Sequence, residues 1–179
     1  MSLTLQSNSL KIDITNHLPL TILVTNSKLA GGVCPLVSIV SDAVDAGMNV
    51  IQMREKELDI KSQLLLAKQL RQITEGRALL FVNTRSEVVR KVNTDGIHFP
   101  ESEINDIASM PEYRRGIYIG CSVHNVQSAK SAISSGANLL VAGTIFSSTS
   151  HENVPPVGVR FIEQLTKNTS IPVVGIGGI

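Results

Sequence analysis

The chain has 179 residues, of which 16 are Lys or Arg and 15 are Asp or Glu, with 42% hydrophobic and 3% aromatic residues. That length and apolar content suit one soluble domain of ordinary size. A net charge of +1, no Trp, two Tyr and four Phe argue against a nucleic-acid or acidic-membrane partner, which would call for a basic face or aromatic stacking platforms.

Cys34 and Cys121 are too few and too far apart for a disulfide framework or a four-ligand zinc site, so a reducing cytoplasm is the expected location. Residues 1–19 read as an N-terminal tail. Met1 to Asn16 contains no apolar run of signal-peptide or membrane-span length. The alternation of Leu10, Ile12 and Ile14 would permit a short extra strand as readily as disorder.

From Leu20 onward, short apolar runs alternate with amphipathic stretches, the pattern of parallel strands joined by helices. The spacing predicts strands at Thr21 to Thr25, Val50 to Met53, Leu79 to Val82, Gly96 to Phe99, Ile117 to Ser122, Leu139 to Gly143 and Pro172 to Gly175. Between them it predicts helices at Leu36 to Ala46, Lys61 to Thr74, Ser86 to Val92, Ile104 to Met110, Val126 to Ser135 and Val159 to Thr166. Asp59 precedes Leu66, Leu70 and Ile73 as an N-cap, and Gly136 closes the fifth helix as a C′ residue.

Each strand is followed by a helix, polar residues gather at the strand ends, and no G-x-G-x-x-G follows the first strand. An α/β fold of the TIM (β/α)8 type explains this better than a doubly wound sheet. A complete eightfold barrel usually takes at least ~200 residues. The expectation for residues 20–179 is therefore a barrel truncated after its seventh strand, with a naturally short form or closure by a partner chain as alternatives.

In parallel barrels the chemistry sits at the C-terminal ends of the strands. After the second strand, Gln52, Arg54 and Lys56 share one face by the two-residue period, and this set of donors suits a diphosphate; a solvated charged loop is the bland alternative. The third strand ends in Asn83-Thr84-Arg85, the fourth in His98-Phe99-Pro100-Glu101, the fifth in Ser122-Val123-His124 and the sixth in Gly143-Thr144. Nothing near His98 demands a functional role, whereas His124 follows a Ser at a strand end. The sixth strand leads into the hydroxyl-rich Ser147-Ser148-Thr149-Ser150-His151. The seventh runs into Gly175-Ile176-Gly177-Gly178, where glycines let backbone amides approach a phosphate. Cys121 has no visible base beside it and reads as an inert buried thiol.

Taken together, the segments Gln52 to Lys56, Asn83-Thr84-Arg85, Asp95 to His98, Gly120 to His124, Pro155-Pro156-Val157-Gly158 and Ile171 to Ile179 resemble the thiamine-phosphate synthase family, which includes the TenI-type thiazole tautomerases. The resemblance spans Leu20 to Ile179. It implies a thiamine-biosynthesis transferase that joins hydroxymethylpyrimidine diphosphate to a methylthiazole ethyl phosphate and releases diphosphate with Mg²⁺ present. By position it assigns Gln52, Arg54, Lys56, Asn83 and Ser122 to the pyrimidine diphosphate, and Ser148, Thr149, Ser150, Gly177 and Gly178 to the thiazole phosphate.

Three departures bear on that assignment. Thr84 stands where family synthases carry a Mg²⁺-binding Asp, which leaves Glu103 as the metal ligand, and His151 replaces a Lys near the diphosphate. The family's last strand is absent from the sequence. The alternative is a metal-independent thiazole tautomerase in which His124, at the position of that branch's histidine, moves a proton, with Ser122 beside it. A third reading is a relative that binds thiazole phosphate without catalysis. In every case the partners are small phosphorylated heterocycles, with neither nucleic acid nor membrane, and a homo-oligomer is left open.

Overall fold

The computed structural model describes Ile14 and residues 18–109, 116–147 and 155–179. Among them, seven parallel strands form one sheet in sequence order, β1 (Ile22–Val24), β2 (Val50–Met53), β3 (Leu79–Asn83), β4 (Gly96–Phe99), β5 (Tyr118–Val123), β6 (Leu139–Gly143) and β7 (Val173–Ile176). The intervening helices are α1 (Val33–Asp45), α2 (Ile60–Thr74), α3 (Ser86–Val92), α4 (Ile104–Ala108), α5 (Val126–Ser135) and α6 (Val159–Asn168). This is a TIM-type curled sheet whose two edges are β1 and β7. Every expected strand and helix is present. Most ends lie within two residues of expectation, α1 starting three residues early, and the weak helix before β5 is preceded by a 3₁₀ turn at Glu101–Glu103.

Helix ends follow local chemistry. Asp59 caps α2, its side chain accepting from Ser62 N at 2.9 Å. Asn125 and Ser128 form a reciprocal capping box on α5, and Gly136 ends that helix at φ 112°. Asp95 ties helix to sheet: its carboxylate accepts from Leu80 N at 2.8 Å and from Arg71 of α2 at 2.7 Å. The Asp95 in the sequence motif is thus a structural clamp.

Strand residues divide by parity into two packed layers. Outward-facing Ile51, Met53, Leu80, Val82, Ile97 and Cys121 join Leu36, Val40, Leu66 and Leu70 of α1 and α2 in the larger core. Each such buried aliphatic side chain contributes about 1.5–3 kcal/mol. Inward-facing Val50, Leu79, Phe81 and Leu139 make a smaller core. Ile14, in the segment expected to be a tail, is 2% exposed, packs in this smaller core, and donates its N–H to Tyr118 Oη at 2.8 Å. Leu10 and Ile12 lie outside the described residues.

Phe81 fills the middle of the barrel because two neighbours lack side chains. A Cβ at Gly96 would lie 2.4 Å from Phe81 Cε1, and one at Gly120 would lie 3.6 Å from the same atom. Gly96→Ala should therefore overpack the inner layer and cost about 1–3 kcal/mol. Urea unfolding measures it directly; a midpoint equal to that of the unsubstituted protein would show that the layer has slack.

Candidate active site

Above Phe81 the inward-facing positions turn polar. Gln52 of β2, Asn83 of β3, His98 of β4 and Ser122 of β5 line the floor of a cavity of about 480 Å³ at the C-terminal end of the sheet. Their strands are neighbours in register, with Asn83 opposite His98 and His98 opposite Gly120. Gln52 is 6% exposed and donates from Nε2 to Asn83 Oδ1 at 2.8 Å. That bond leaves the Gln52 carbonyl as an acceptor and the Asn83 amide nitrogen as a donor.

Arg54 and Lys56 line the same cavity, although β2 stops at Met53 rather than carrying both on a strand face. The backbone turns here because Arg54 N–H donates to buried Thr25 Oγ1 at 3.0 Å. Glu55, 8% exposed, folds inward, and its carboxylate accepts from Ser27 N at 3.1 Å and Ser27 Oγ at 2.6 Å. The two cations are left exposed at the rim.

A second cavity of about 350 Å³ adjoins the first, sharing Lys56, Asn83 and Pro100 and adding Thr84, Arg85 and Glu103. Glu55 also borders it but is committed to Ser27, so Glu103 supplies the available carboxylate. Among the described residues no group of three His, Cys, Asp or Glu is placed to hold a metal. A single carboxylate fits Mg²⁺ delivered with a diphosphate, because that ion commonly takes one or two protein carboxylates and fills its octahedron with water and phosphate oxygens.

At the opposite rim, Glu101 gathers the start of α5. It accepts from His124 N at 2.8 Å and from Asn125 Nδ2 at 3.5 Å, and meets His124 Nδ1 at 2.5 Å. Nδ1 then carries the proton, and in the neutral ring Nε2 carries the lone pair. His124 lines the cavity with its side chain half exposed.

At the end of β7, Gly177 and Gly178 take φ of 99° and 70° and press against the β6 end. A Cβ on Gly177 would lie 2.3 Å from Thr144 Cγ2, and one on Gly178 2.6 Å from Ser147 O. Only glycine allows this approach, and both residues line the cavity. Ser148, Thr149, Ser150 and His151 lie outside the described residues.

Two residues to which the sequence reading gave no role enter the site. His98 is 3% exposed, and its Nε2 lies 2.8 Å from Ser122 Oγ. Burial, and then the nearby Arg54 guanidinium, push its pKa down to about 4. Glu101 orients His124. The signal for both was register: each sits at or just beyond the C-terminal end of β4, beside the end of β5. Cys121 faces outward and is buried; burial, and then Glu101, raise its thiol to about 12, which keeps it inert.

Residues 21–179 match the sequence profile of the family described as thiamine monophosphate synthase. The chain belongs to this family. Thiamine-phosphate synthase of Pyrococcus furiosus is 35% identical over 147 residues, covering 81% of this chain and 70% of the relative. That of Methanococcus maripaludis is 33% identical over 146 residues, covering 78% and 68%. The solved thiamine phosphate pyrophosphorylase from Pyrococcus furiosus superposes with a TM-score of 0.80 at 30% identity, over 93% of this chain and 78% of that one. A FabK variant from Thermotoga maritima, 18% identical with a TM-score of 0.65, shares the fold alone.

For this synthase-family chain, His98 makes stability depend on pH. Its folded pKa of about 4 lies below the ordinary 6.5, so the unfolded chain binds the proton better and folding is favoured most above pH 6.5. Stability should fall as pH drops from 6.5 toward 4. Subtracting the urea-unfolding curve of His98→Gln from that of the unsubstituted protein isolates the effect; a difference flat across that window would contradict it.

Proposed function

We propose that this chain is a thiamine-phosphate synthase that couples hydroxymethylpyrimidine diphosphate with methylthiazole ethyl phosphate. The observation that carries the reading is one cavity with a neutral amide and hydroxyl floor, a cationic rim at Arg54 and Lys56, and a glycine-lined wall at Gly177 and Gly178. The floor suits a heteroaromatic ring, the rim a diphosphate, and the glycines a second phosphate.

In the reaction, the bond between the pyrimidine methylene carbon and the diphosphate oxygen breaks, and the diphosphate leaves with the electron pair. The thiazole nitrogen then donates its lone pair to the methylene carbon. No proton is transferred, so no strong base is needed. Gln52, Asn83 and Ser122 hold the pyrimidine ring. Arg54 and Lys56 offset the charge that grows on the departing diphosphate. Glu103 would hold Mg²⁺, which when bound supplies further neutralisation of that charge. The family resemblance assigns Ser148, Thr149 and Ser150 to the thiazole phosphate, which the backbone at Gly177 and Gly178 is free to approach.

No helix among the described residues is long and apolar enough to cross a membrane. The thiols of Cys34 and Cys121 are free, which suits the cytoplasm in which we place the enzyme.

A second reading has one observation in its favour, the carboxylate-oriented imidazole of Glu101 and His124 at the cavity rim. It would let His124 act as the acid/base of a thiazole tautomerase, taking a proton from one carbon of a carboxythiazole phosphate and returning it to another as the ring aromatises.

A coupling assay separates the readings. Product should form with Mg²⁺ and stop with chelator. Arg54→Ala should lower the rate by about 100-fold or more, by analogy with removal of a donor to developing negative charge, and Glu103→Ala should abolish Mg²⁺-dependent turnover. Metal-independent proton shift on carboxythiazole phosphate, lost in His124→Ala, would instead establish the tautomerase. Tight binding of either phosphate without turnover would reject both.

A further inference from the structure

The His98–Ser122 pair has a feature that the coupling reaction does not itself require. His98 Nε2 lies 2.8 Å from Ser122 Oγ, while His98 Nδ1 is buried without a hydrogen-bond partner among the described residues. The backbone of β5 closes over that nitrogen: a Cβ built on Gly120 would lie 2.8 Å from Nδ1. There is no room for a methyl group on that side of the ring, and Nδ1 itself presents almost no surface to solvent.

A neutral imidazole protonates one nitrogen and leaves a lone pair on the other. A proton on Nδ1 would orphan a buried N–H, which native structures rarely tolerate; a bare acceptor is the lesser cost. The ring is neutral near pH 7, since burial and Arg54 both oppose its charge. The proton therefore sits on Nε2 and is donated to Ser122. A serine hydroxyl has one donor and two acceptor sites. With an acceptor site taken from below, and no other partner for Oγ among the described residues, the O–H proton is free to point into the cavity that Ser122 lines.

We propose that His98 is a positioning residue that fixes Ser122 as a hydrogen-bond donor to an in-plane ring nitrogen of the heteroaromatic substrate. This rests on the pyrimidine reading of the site. Gln52 contributes the opposite polarity: one of its two amide N–H groups is committed to Asn83 Oδ1, and its carbonyl remains to accept. One donor and one acceptor on the floor complement an aminopyrimidine, which offers a ring lone pair next to an amino group. A ring carrying a carbonyl and N–H in their place would set its carbonyl against that of Gln52 and leave the Ser122 O–H proton without an acceptor.

The experiment has two arms. In the first, ¹⁵N-histidine NMR of the full chain at neutral pH, with the His98 signals assigned by their loss in His98→Gln, should show a pyrrole-like Nε2 and a pyridine-like Nδ1. The reverse assignment overturns the proposal. In the second, steady-state kinetics compare three variants that remain folded by circular dichroism. His98→Gln, whose amide nitrogen replaces Nε2, should keep KM for the pyrimidine diphosphate within about threefold. His98→Asn and His98→Met, which offer no donor there, should raise it about tenfold or more while KM for the thiazole phosphate stays unchanged. Equal pyrimidine KM in His98→Met and the unsubstituted protein overturns the proposal. If the unsubstituted protein neither binds nor couples the pyrimidine diphosphate, the coupling function falls, while the NMR arm still decides which way His98 orients Ser122.

Discussion

The site depends on one constraint, the two-residue alternation of side chains along a parallel strand. Each strand sends one set of residues to the helices and the other into the barrel, and the inner set changes character with height. On β3 it runs Leu79, Phe81, Asn83; on β5 it runs Tyr118, Gly120, Ser122. Apolar residues seal the bottom, Phe81 fills the middle, and amides and hydroxyls form the top. A slip of one residue in any pairing would exchange these residues for aliphatic ones from the outer core.

Packing outside the barrel makes that register costly to change. The helices bury their apolar stripes on the outward-facing strand residues, and Asp95 bonds α2 to the start of β3. The rim is held separately. Glu55 binds the loop after β1, and Glu101 binds the turn into α5. Both carboxylates are held by donors of neighbouring loops, Glu55 by the N–H and O–H of Ser27 and Glu101 by N–H groups of His124 and Asn125.

Much of this was legible in the sequence. Strands and helices were visible because a buried parallel strand reads as a short aliphatic run and a flanking helix as a longer amphipathic one. Gln52, Arg54, Lys56, Asn83 and Ser122 were legible as strand-end polar residues, and they converge on one cavity. His98 was passed over because a lone histidine between Ile97 and Phe99 resembles a core residue until β4 and β5 are laid side by side. That register requires the fold. Glu101 was hidden for a similar reason: its partners lie 23 and 24 residues away, beyond β5. Ile14 was hidden because its partners belong to strands much later in the chain.

The division of charge within the site follows from solvation. An unpaired buried charge is expensive, whereas buried amides and hydroxyls are affordable when hydrogen-bonded. The floor accordingly holds Gln52, Asn83, neutral His98 and Ser122, while Arg54, Lys56 and Arg85 stay exposed at the rim. A substrate with an uncharged ring at one end and a diphosphate at the other fits that division in one orientation. In the proposed reaction its reactive methylene would sit at the boundary between floor and rim. There the cationic side chains would reach the leaving oxygens, and the neutral floor would add no anion to trap the carbon before the thiazole nitrogen arrives. The same boundary explains why a neutral histidine suits the floor: a charged one would place a second cation beneath Arg54 and favour withdrawal of the ring toward water.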